Sequence, residues 1–130
     1  MYLLDTNILA LFVKQNSKII QKIQNYEDSI ALCVVVQAEC LFGAKKAKML
    51  DLVDIYNSIF ESFPNFSFES KSCEIFTDLK ANLSISGKII EDFDLIIASI
   101  CLANNLTLVT HNTKHFDNIK GLKVEDWTLA

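Results

Sequence analysis

The sequence predicts a three-layer α/β/α fold with a central parallel sheet of four to five short strands. Short β-like apolar runs alternate along the chain with longer helical segments, and strands separated by helices imply βαβ crossovers. The chain has 130 residues, 51% of them hydrophobic, so one folding unit can bury a substantial core. One Pro and three Gly argue against linkers and disordered segments. We therefore expect a single domain over residues 1–130.

The elements follow from apolar periodicity and from residues that start or stop helices. Thr6 or Asn7 can cap the first helix, Ser17 can cap the second, and Pro64 ends a long helix before it. Residues 30–35 are continuously apolar and rich in β-branched side chains, as in a strand covered on both faces. The predicted strands are 2–4, 30–35, 65–69, 106–110 and 122–125, and the predicted helical segments are 6–13, one from 17, 37–47, 49–63, 70–84, 93–104 and a turn at 113–119.

The cysteines predict a reducing environment. The chain has four, none in a CxxC pair and none at zinc-finger spacing from a His, and each lies in an apolar stretch. We expect buried free thiols. Asp5 interrupts the apolar start too early for a signal peptide, and no apolar run is long enough to span a membrane. The expected location is the cytoplasm.

The charge balance does not by itself favour a nucleic-acid enzyme. The formal net charge is −4, and the basic residues are all Lys. Phosphate binding usually requires a basic surface, but bound cations reverse the local sign at a site built from carboxylates. The one dense basic cluster is Lys45, Lys46 and Lys48. It is either a solvated helix face or a contact surface for RNA.

Three acids occupy positions that favour a metal site. Asp5 ends the first strand, where ligands bind in parallel sheets, and Glu39 and Asp94 lie on helices that start from the same edge. Each acid stands among apolar neighbours, where a carboxylate needs a compensating charge such as Mg²⁺ or Mn²⁺. Each alone has another explanation, because Asp5 could cap a helix and Asp94 could complement a helix dipole. The three together favour the metal site.

Two further polar groups have provisional roles. Asp92 and Asp94 are two residues apart and cannot share a helix face, so we assign Asp92 to capping and Asp94 to the metal, with the reverse assignment still open. Asn112 follows an apolar strand and could hold a metal-bound water, or it could form an Asx turn. His111 and His115 are expected to be exposed.

The sequence resembles the PIN-domain proteins, and in particular the VapC toxins of bacterial toxin–antitoxin pairs. The likeness covers nearly the whole chain in order. The matching segments are YLLDTN at 2–7, Glu39 with Leu41 and Gly43, DFDLIIA at 92–98, LVTHN at 108–112, His115-Phe116, Gly121-Leu122 and VEDW at 124–127.

The resemblance implies a PIN fold, endoribonuclease activity with Mg²⁺ or Mn²⁺, and inhibition by a VapB-like antitoxin. By motif position Asp5, Glu39 and Asp94 form the acidic triad that holds the metal, with Thr6 and Asn112 supporting it. Many PIN domains have a fourth acid where this chain has Asn112, which leaves open how a second metal would be held. The implied substrate is structured RNA, either tRNA or rRNA, and its cleavage would inhibit translation.

The same residues allow two other functions, and the apolar helices indicate an oligomer. A nuclease for DNA or flap substrates could use a similar acid cluster, and a non-catalytic binding module could keep the same fold. The apolar helices at 49–63 and 70–83 carry more hydrophobic surface than one sheet face needs. We therefore expect a homodimer, with the antitoxin covering another apolar groove.

Overall fold

The computed structural model describes residues 1–129, so the last residue of the expected 1–130 domain lies outside it. A central sheet of five parallel strands, in the order β3-β2-β1-β4-β5, carries helices between its strands. The strands are β1 Tyr2–Leu4, β2 Ile30–Cys33, β3 Asn65–Phe66, β4 Thr107–Val109 and β5 Val124–Glu125. The helices are α1 Thr6–Val13, α2 Ser17–Asn25, α3 Val34–Lys46, α4 Leu50–Ser62, α5 Ser70–Ile85 and α6 Asp92–Asn104, with 3₁₀ turns at Glu27–Ser29 and Thr113–Phe116. The predicted fold class is confirmed.

The core lies on both faces of the three middle strands. Every residue of β2 is buried, and so are Leu3 and Leu4 of β1 and Leu108 and Val109 of β4. The middle of α6 is also buried from Ile97 to Cys101. Since a parallel sheet is covered by helices on both faces, its strands read as continuous apolar runs rather than alternating ones.

The second strand ends two residues earlier than predicted. The apolar run 30–35 was expected to be entirely strand, but Val34 already begins α3. Strand β1 pairs with β2 only at Ile30 and Ala31, and β3 pairs only with Leu32 and Cys33. Within residues 1–129, no strand pairs with the backbone immediately after Cys33, and the chain there forms the hydrogen bonds of a helix instead.

Two predicted helix caps were wrong. Asp5, rather than Thr6 or Asn7, is the residue that caps α1, and its carboxylate accepts a hydrogen bond from the Thr6 N–H. Asn16, rather than Ser17, caps α2, and its side chain accepts from the Ile19 N–H at 3.2 Å. In both cases the cap is the residue just before the first helical turn, where extended backbone lets a short side chain fold back onto the free N–H groups.

The cysteine prediction holds for three of the four residues. Cys33, Cys40 and Cys101 are buried free thiols, whereas Cys73 is free but exposed on α5. Burial raises the pKa of Cys33 to about 11 and that of Cys40 to about 12, so both remain thiols at neutral pH. Within residues 1–129, no helix is long and apolar enough to cross a membrane.

Candidate functional site

Asp5 lies directly after β1, at the carboxyl edge of the sheet. The residue is 6% exposed, and its own N–H is tied to the Val109 carbonyl oxygen of β4 at 2.9 Å. The backbone therefore holds this carboxylate between the two central strands. A nearly buried carboxylate must receive hydrogen bonds or a counter-charge to remain stable there.

Three donors orient the Asp5 carboxylate. The Thr6 N–H donates to Oδ1 at 2.8 Å, the Thr110 hydroxyl donates to Oδ2 at 2.8 Å, and the Asn7 amide donates to the same Oδ2 at 3.3 Å. Hydrogen bonds to a charged acceptor are stronger than those to a neutral one. They fix the direction in which the remaining lone pairs of Asp5 face the site.

Asn7 and Thr110 connect the start of α1 to the loop after β4. The Asn7 amide also donates to Thr110 Oγ1 at 3.1 Å, and the Asn7 side-chain oxygen accepts from the His111 N–H at 2.9 Å. Neither Asn7 nor Thr110 was predicted from the sequence to have a role in the site. The sequence feature that could have predicted such a role is that polar residues follow two strands whose carboxyl ends meet at one edge of the sheet.

Asn112 reaches this network through its backbone. Its N–H donates to Thr110 Oγ1 at 3.1 Å, the same hydroxyl that donates to Asp5. Asn112 is exposed and precedes the 3₁₀ turn Thr113–Phe116 without a capping bond from its side chain. The alternative of an Asx turn at Asn112 was therefore wrong.

Glu39 lies on α3 and faces Asp5 across Thr6. The Thr6 hydroxyl donates to Glu39 Oε1 at 2.8 Å, so one residue contacts both carboxylates. Burial raises the pKa of Glu39, the negative charges of Asp5 and Asp94 add to the rise, and the Thr6 hydrogen bond opposes it. Two of the acids expected to share a site are therefore linked by a short bridge.

Asp94 lies in the first turn of α6, with its side chain 19% exposed. Burial raises the pKa of Asp94, and the charge of Asp5 raises it further. The ring nitrogen Nδ1 of His115 lies 3.2 Å from Asp94 Oδ2 and favours the charged form. His115 is exposed as expected, but its contact with Asp94 was not anticipated. The His111 ring instead contacts Asp126 and Thr128.

Asp92 does not cap α6, so the assignment of its side chain to capping was wrong. It is the first helical residue rather than the one before it, and its carboxylate forms an exposed salt bridge with Lys80 on α5 at 2.7 Å. The preceding residue, Glu91, occupies the cap position without making a side-chain bond. Asp92 therefore contacts α5 through Lys80.

Glu91 adds a fourth negative charge that the sequence reasoning missed. Although exposed, it raises the pKa of both Glu39 and Asp94 through its charge. Mutual repulsion among these acids is the electrostatic signature of a site that a cation would neutralise.

The donor set fits a small hard cation. Within residues 1–129, no three His, Cys, Asp or Glu side chains are already drawn together closely enough to enclose a metal ion. Mg²⁺, however, usually keeps several of its waters and binds through one or two protein carboxylates. Asp5, Asp94 and Glu39 offer oxygen ligands of that kind, and their repulsion would decrease when the cation binds.

The fold and the site together define a class of protein: an α/β domain with neighbouring carboxylates at the carboxyl edge of its parallel sheet. A family model described as the PIN domain matches residues 2–122. Ribonuclease VapC2 of Rickettsia felis is 33% identical to the chain over 97% of both proteins. The tRNA(fMet)-specific endonuclease VapC of Shigella flexneri is 24% identical over 98% of both.

A solved structure agrees with these sequence matches. VapBC2 from Rickettsia felis, crystallised with a DNA fragment from its promoter, contains a chain that is 31% identical and superposes with a TM-score of 0.88. The alignment covers 97% of this chain and 98% of the other. The protein therefore belongs to the PIN-domain family, among the VapC proteins. The resemblance found in the sequence is confirmed.

Proposed function

We propose that the protein is a metal-dependent endoribonuclease toxin of a toxin–antitoxin pair. It would hydrolyse phosphodiester bonds in structured RNA, either tRNA or rRNA, and so inhibit translation. The observation that carries the proposal is the set of neighbouring carboxylates at the sheet edge, where burial raises the pKa of Glu39 and of Asp94 and the negative charge of Asp5 raises both further. The VapC relatives named as ribonucleases support the choice of RNA.

In this proposal Asp5 and Asp94 are direct ligands of Mg²⁺, with Mn²⁺ able to substitute, and Glu39 ligates the ion or orients a water. When bound, the cation would supply Lewis acidity that makes a water nucleophilic near neutral pH and offsets the charge on the phosphate. Divalent cations with oxygen ligands suit carboxylates of this kind.

The remaining residues of the site hold the carboxylates in position. Thr6 donates hydrogen bonds from its N–H to Asp5 and from its hydroxyl to Glu39, and these bonds fix the positions of the two carboxylates relative to each other. Asn112 supports the site through Thr110, whose hydroxyl donates to Asp5. Asp92, which was expected to cap α6, instead forms an exposed salt bridge with Lys80 of α5.

We further propose that this single domain acts in the cytoplasm as a homodimer whose partner is a VapB-like antitoxin. The solved relative from Rickettsia felis is a VapBC assembly, which supports the antitoxin. Leu50 and Ile55 of α4 are 73% and 47% exposed, and Ile85 at the end of α5 is 85% exposed, which supports a self-contact. Sedimentation of the purified chain as a monomer at high concentration would exclude the dimer.

The catalytic proposal is tested with Asp5→Asn and Asp94→Asn. Each variant is incubated with matched RNA and DNA hairpins in Mg²⁺, with EDTA added to a parallel sample. We expect wild type to cut RNA only when Mg²⁺ is present and both variants to lose at least about 100-fold in rate, because each loses a charged ligand. Asp54→Asn, on the exposed face of α4, serves as the matched control and should cut at the wild-type rate.

Circular dichroism and thermal melts establish that each variant is folded. Full activity in folded Asp5→Asn would contradict the mechanism. Cleavage of the DNA hairpin in preference to RNA would favour the other nuclease class. An inactive but folded wild type that still binds a partner would favour the non-catalytic module.

A further inference from the structure

A cavity of about 680 Å³ opens beside the carboxylates. It is lined by Thr6, Ala38, Glu39, Phe42 and Phe93. Thr6 and Glu39 belong to the acidic site, so the cavity is continuous with it. Its other walls are apolar, and two of them are phenylalanine rings. The volume is in the range of pockets that accept small organic ligands or parts of larger ones.

The two phenylalanine side chains are largely exposed to solvent. Phe42 is 66% exposed and Phe93 is 52% exposed, and each lies close in sequence to a candidate ligand: Phe42 is one helical turn after Glu39, and Phe93 precedes Asp94. Some other aromatic side chains pack on one another, as Phe68 does against Phe76 at 5.9 Å between ring centroids. Within residues 1–129, neither Phe42 nor Phe93 has such an aromatic partner, so neither ring is already stacked on another ring.

A positive charge lies beside one of the two rings. Lys46 Nζ, on the last residue of α3, is 5.8 Å from the centroid of the Phe42 ring. An aromatic face next to a cation suits a ligand that is both flat and anionic. A nucleotide has both properties, since its base stacks on aromatic rings and its phosphate attracts Lys.

We infer that Phe42 and Phe93 stack on unpaired nucleobases beside the scissile phosphodiester and so position single-stranded RNA over the carboxylates. This inference rests on the proposed ribonuclease function and adds to it two substrate-positioning residues. Bases inside a duplex are already stacked and cannot offer a free face to a side chain, whereas loop bases can be splayed out. Cleavage therefore falls in a loop or other unpaired segment rather than in a stem.

The test uses an RNA hairpin with the fluorescent base 2-aminopurine in its loop and a matched hairpin with the same base in its stem. Binding is measured with the cleavage-impaired Asp5→Asn protein, and single-turnover cleavage is measured in the wild-type background. Phe42→Leu and Phe93→Leu are introduced in both backgrounds. Leu keeps the site apolar and removes the ring, Phe42→Trp restores one, and Phe68→Leu outside the cavity is the matched control.

We expect the loop probe to be quenched on binding and the stem probe to remain unchanged. Phe42→Leu and Phe93→Leu should weaken RNA binding about tenfold, abolish the quenching and slow cleavage of the loop by a similar factor. Phe42→Trp should retain quenching, and Phe68→Leu should behave as wild type. Because both rings are exposed, thermal melts should be unchanged in the two Leu variants.

Three results would overturn the inference in distinguishable ways. If wild type cuts RNA but the two Leu variants bind, quench and cut as well as it does, the rings do not position substrate and the ribonuclease proposal stands. If wild type neither binds nor cuts RNA, both proposals fail. If the Leu variants keep RNA binding but weaken the complex with the antitoxin, the cavity docks protein instead.

Discussion

At the scale of single residues, the Asp5 carboxylate serves the fold and the site at once. Its Oδ1 caps α1 through the Thr6 N–H, while its Oδ2 accepts from Thr110 and Asn7. Two explanations that seemed to compete in the sequence, a helix cap and a metal ligand, are therefore compatible in one side chain. The cap leaves lone pairs free because a carboxylate has about four acceptor positions.

Thr110→Val tests how the hydroxyl of Thr110 supports Asp5. The substitution preserves shape but removes a hydrogen bond to a buried charged group, so we expect unfolding free energy to fall by about 2 kcal/mol. We also expect Mg²⁺ affinity to fall about 10- to 100-fold, as for other groups that orient metal ligands. Urea denaturation and calorimetric titration measure the two effects.

Thr107→Val, at the start of the same strand and away from the carboxylates, is the control for Thr110→Val. It should change neither quantity appreciably, because Val suits a strand at least as well as Thr does. Equal losses in the two variants would mean that Thr110 acts only through general packing of β4.

Glu39→Gln should make the metal-free protein more stable while it removes activity. The raised pKa of Glu39 means that its charged form is disfavoured in the folded state, so at pH 7 the charge costs stability that Gln avoids. After allowance for solvent screening, we expect a gain of a few tenths to about 1 kcal/mol in EDTA. Gln also keeps an oxygen that can accept from Thr6.

The sign of the Glu39 effect can be checked by lowering the pH. Below the raised pKa the wild-type carboxyl is protonated in the fold, so the advantage of Glu39→Gln should shrink as pH falls through that pKa. Urea denaturation in EDTA at several pH values measures the difference in unfolding free energy between Glu39→Gln and wild type. A variant that is less stable than wild type at pH 7 would show that burying the Glu39 charge near the other acids does not destabilise the metal-free fold.

At the scale of secondary-structure elements, the helix starts distinguish true caps from residues that only resemble them. Asn16 accepts a hydrogen bond from the Ile19 N–H, whereas Asp92 holds Lys80 in an exposed salt bridge. Asn16→Ala should cost about 1 kcal/mol of unfolding free energy. Asp92→Asn should change it by less than about 0.5 kcal/mol, because exposed ion pairs contribute little. A larger loss for Asp92→Asn in thermal melts would restore it as a stabilising helix-start residue.

Element types were easier to predict from the sequence than element ends. All five predicted strands and all six main helices occur, because apolar runs and helical periodicity are written locally. The ends were missed where pairing decides them: β2 stops at Cys33, and the strand expected at 65–69 is only Asn65–Phe66. Strand length depends on how many residues the neighbouring strand offers, and that information lies elsewhere in the chain.

At the scale of the whole molecule, a divalent cation should stabilise the fold. Mg²⁺ or Mn²⁺ that binds the native carboxylates and not the unfolded chain raises the melting temperature. At a free cation concentration of 100 times the dissociation constant, the free energy of unfolding rises by about 2.7 kcal/mol. Asp94→Asn should lose most of this effect. Thermal melts with and without excess MgCl₂ measure the stabilisation.

The same stabilisation by Mg²⁺ should depend on pH. Protons compete with the cation, and the pKa values of Glu39 and Asp94 are both raised by burial and by neighbouring acids. The Mg²⁺-induced rise in melting temperature should therefore begin to disappear at a higher pH than for ordinary carboxylates, which titrate near about 4. A rise that persists unchanged below that pH would argue against these two ligands.

The fold class, the order of the elements and the family could all be read from the sequence, because local apolar patterns and ordered motifs carry that information. The sequence also singled out Asp5, Glu39 and Asp94 as candidate ligands, but the side chains that contact those acids are visible only in the folded protein. The tertiary structure joins Thr110 to Asp5 across 105 residues, His115 to Asp94, and Phe42 to Phe93 around one cavity. These relations arise where strand ends and helix starts from distant parts of the chain meet at one edge, so no local pattern could report them.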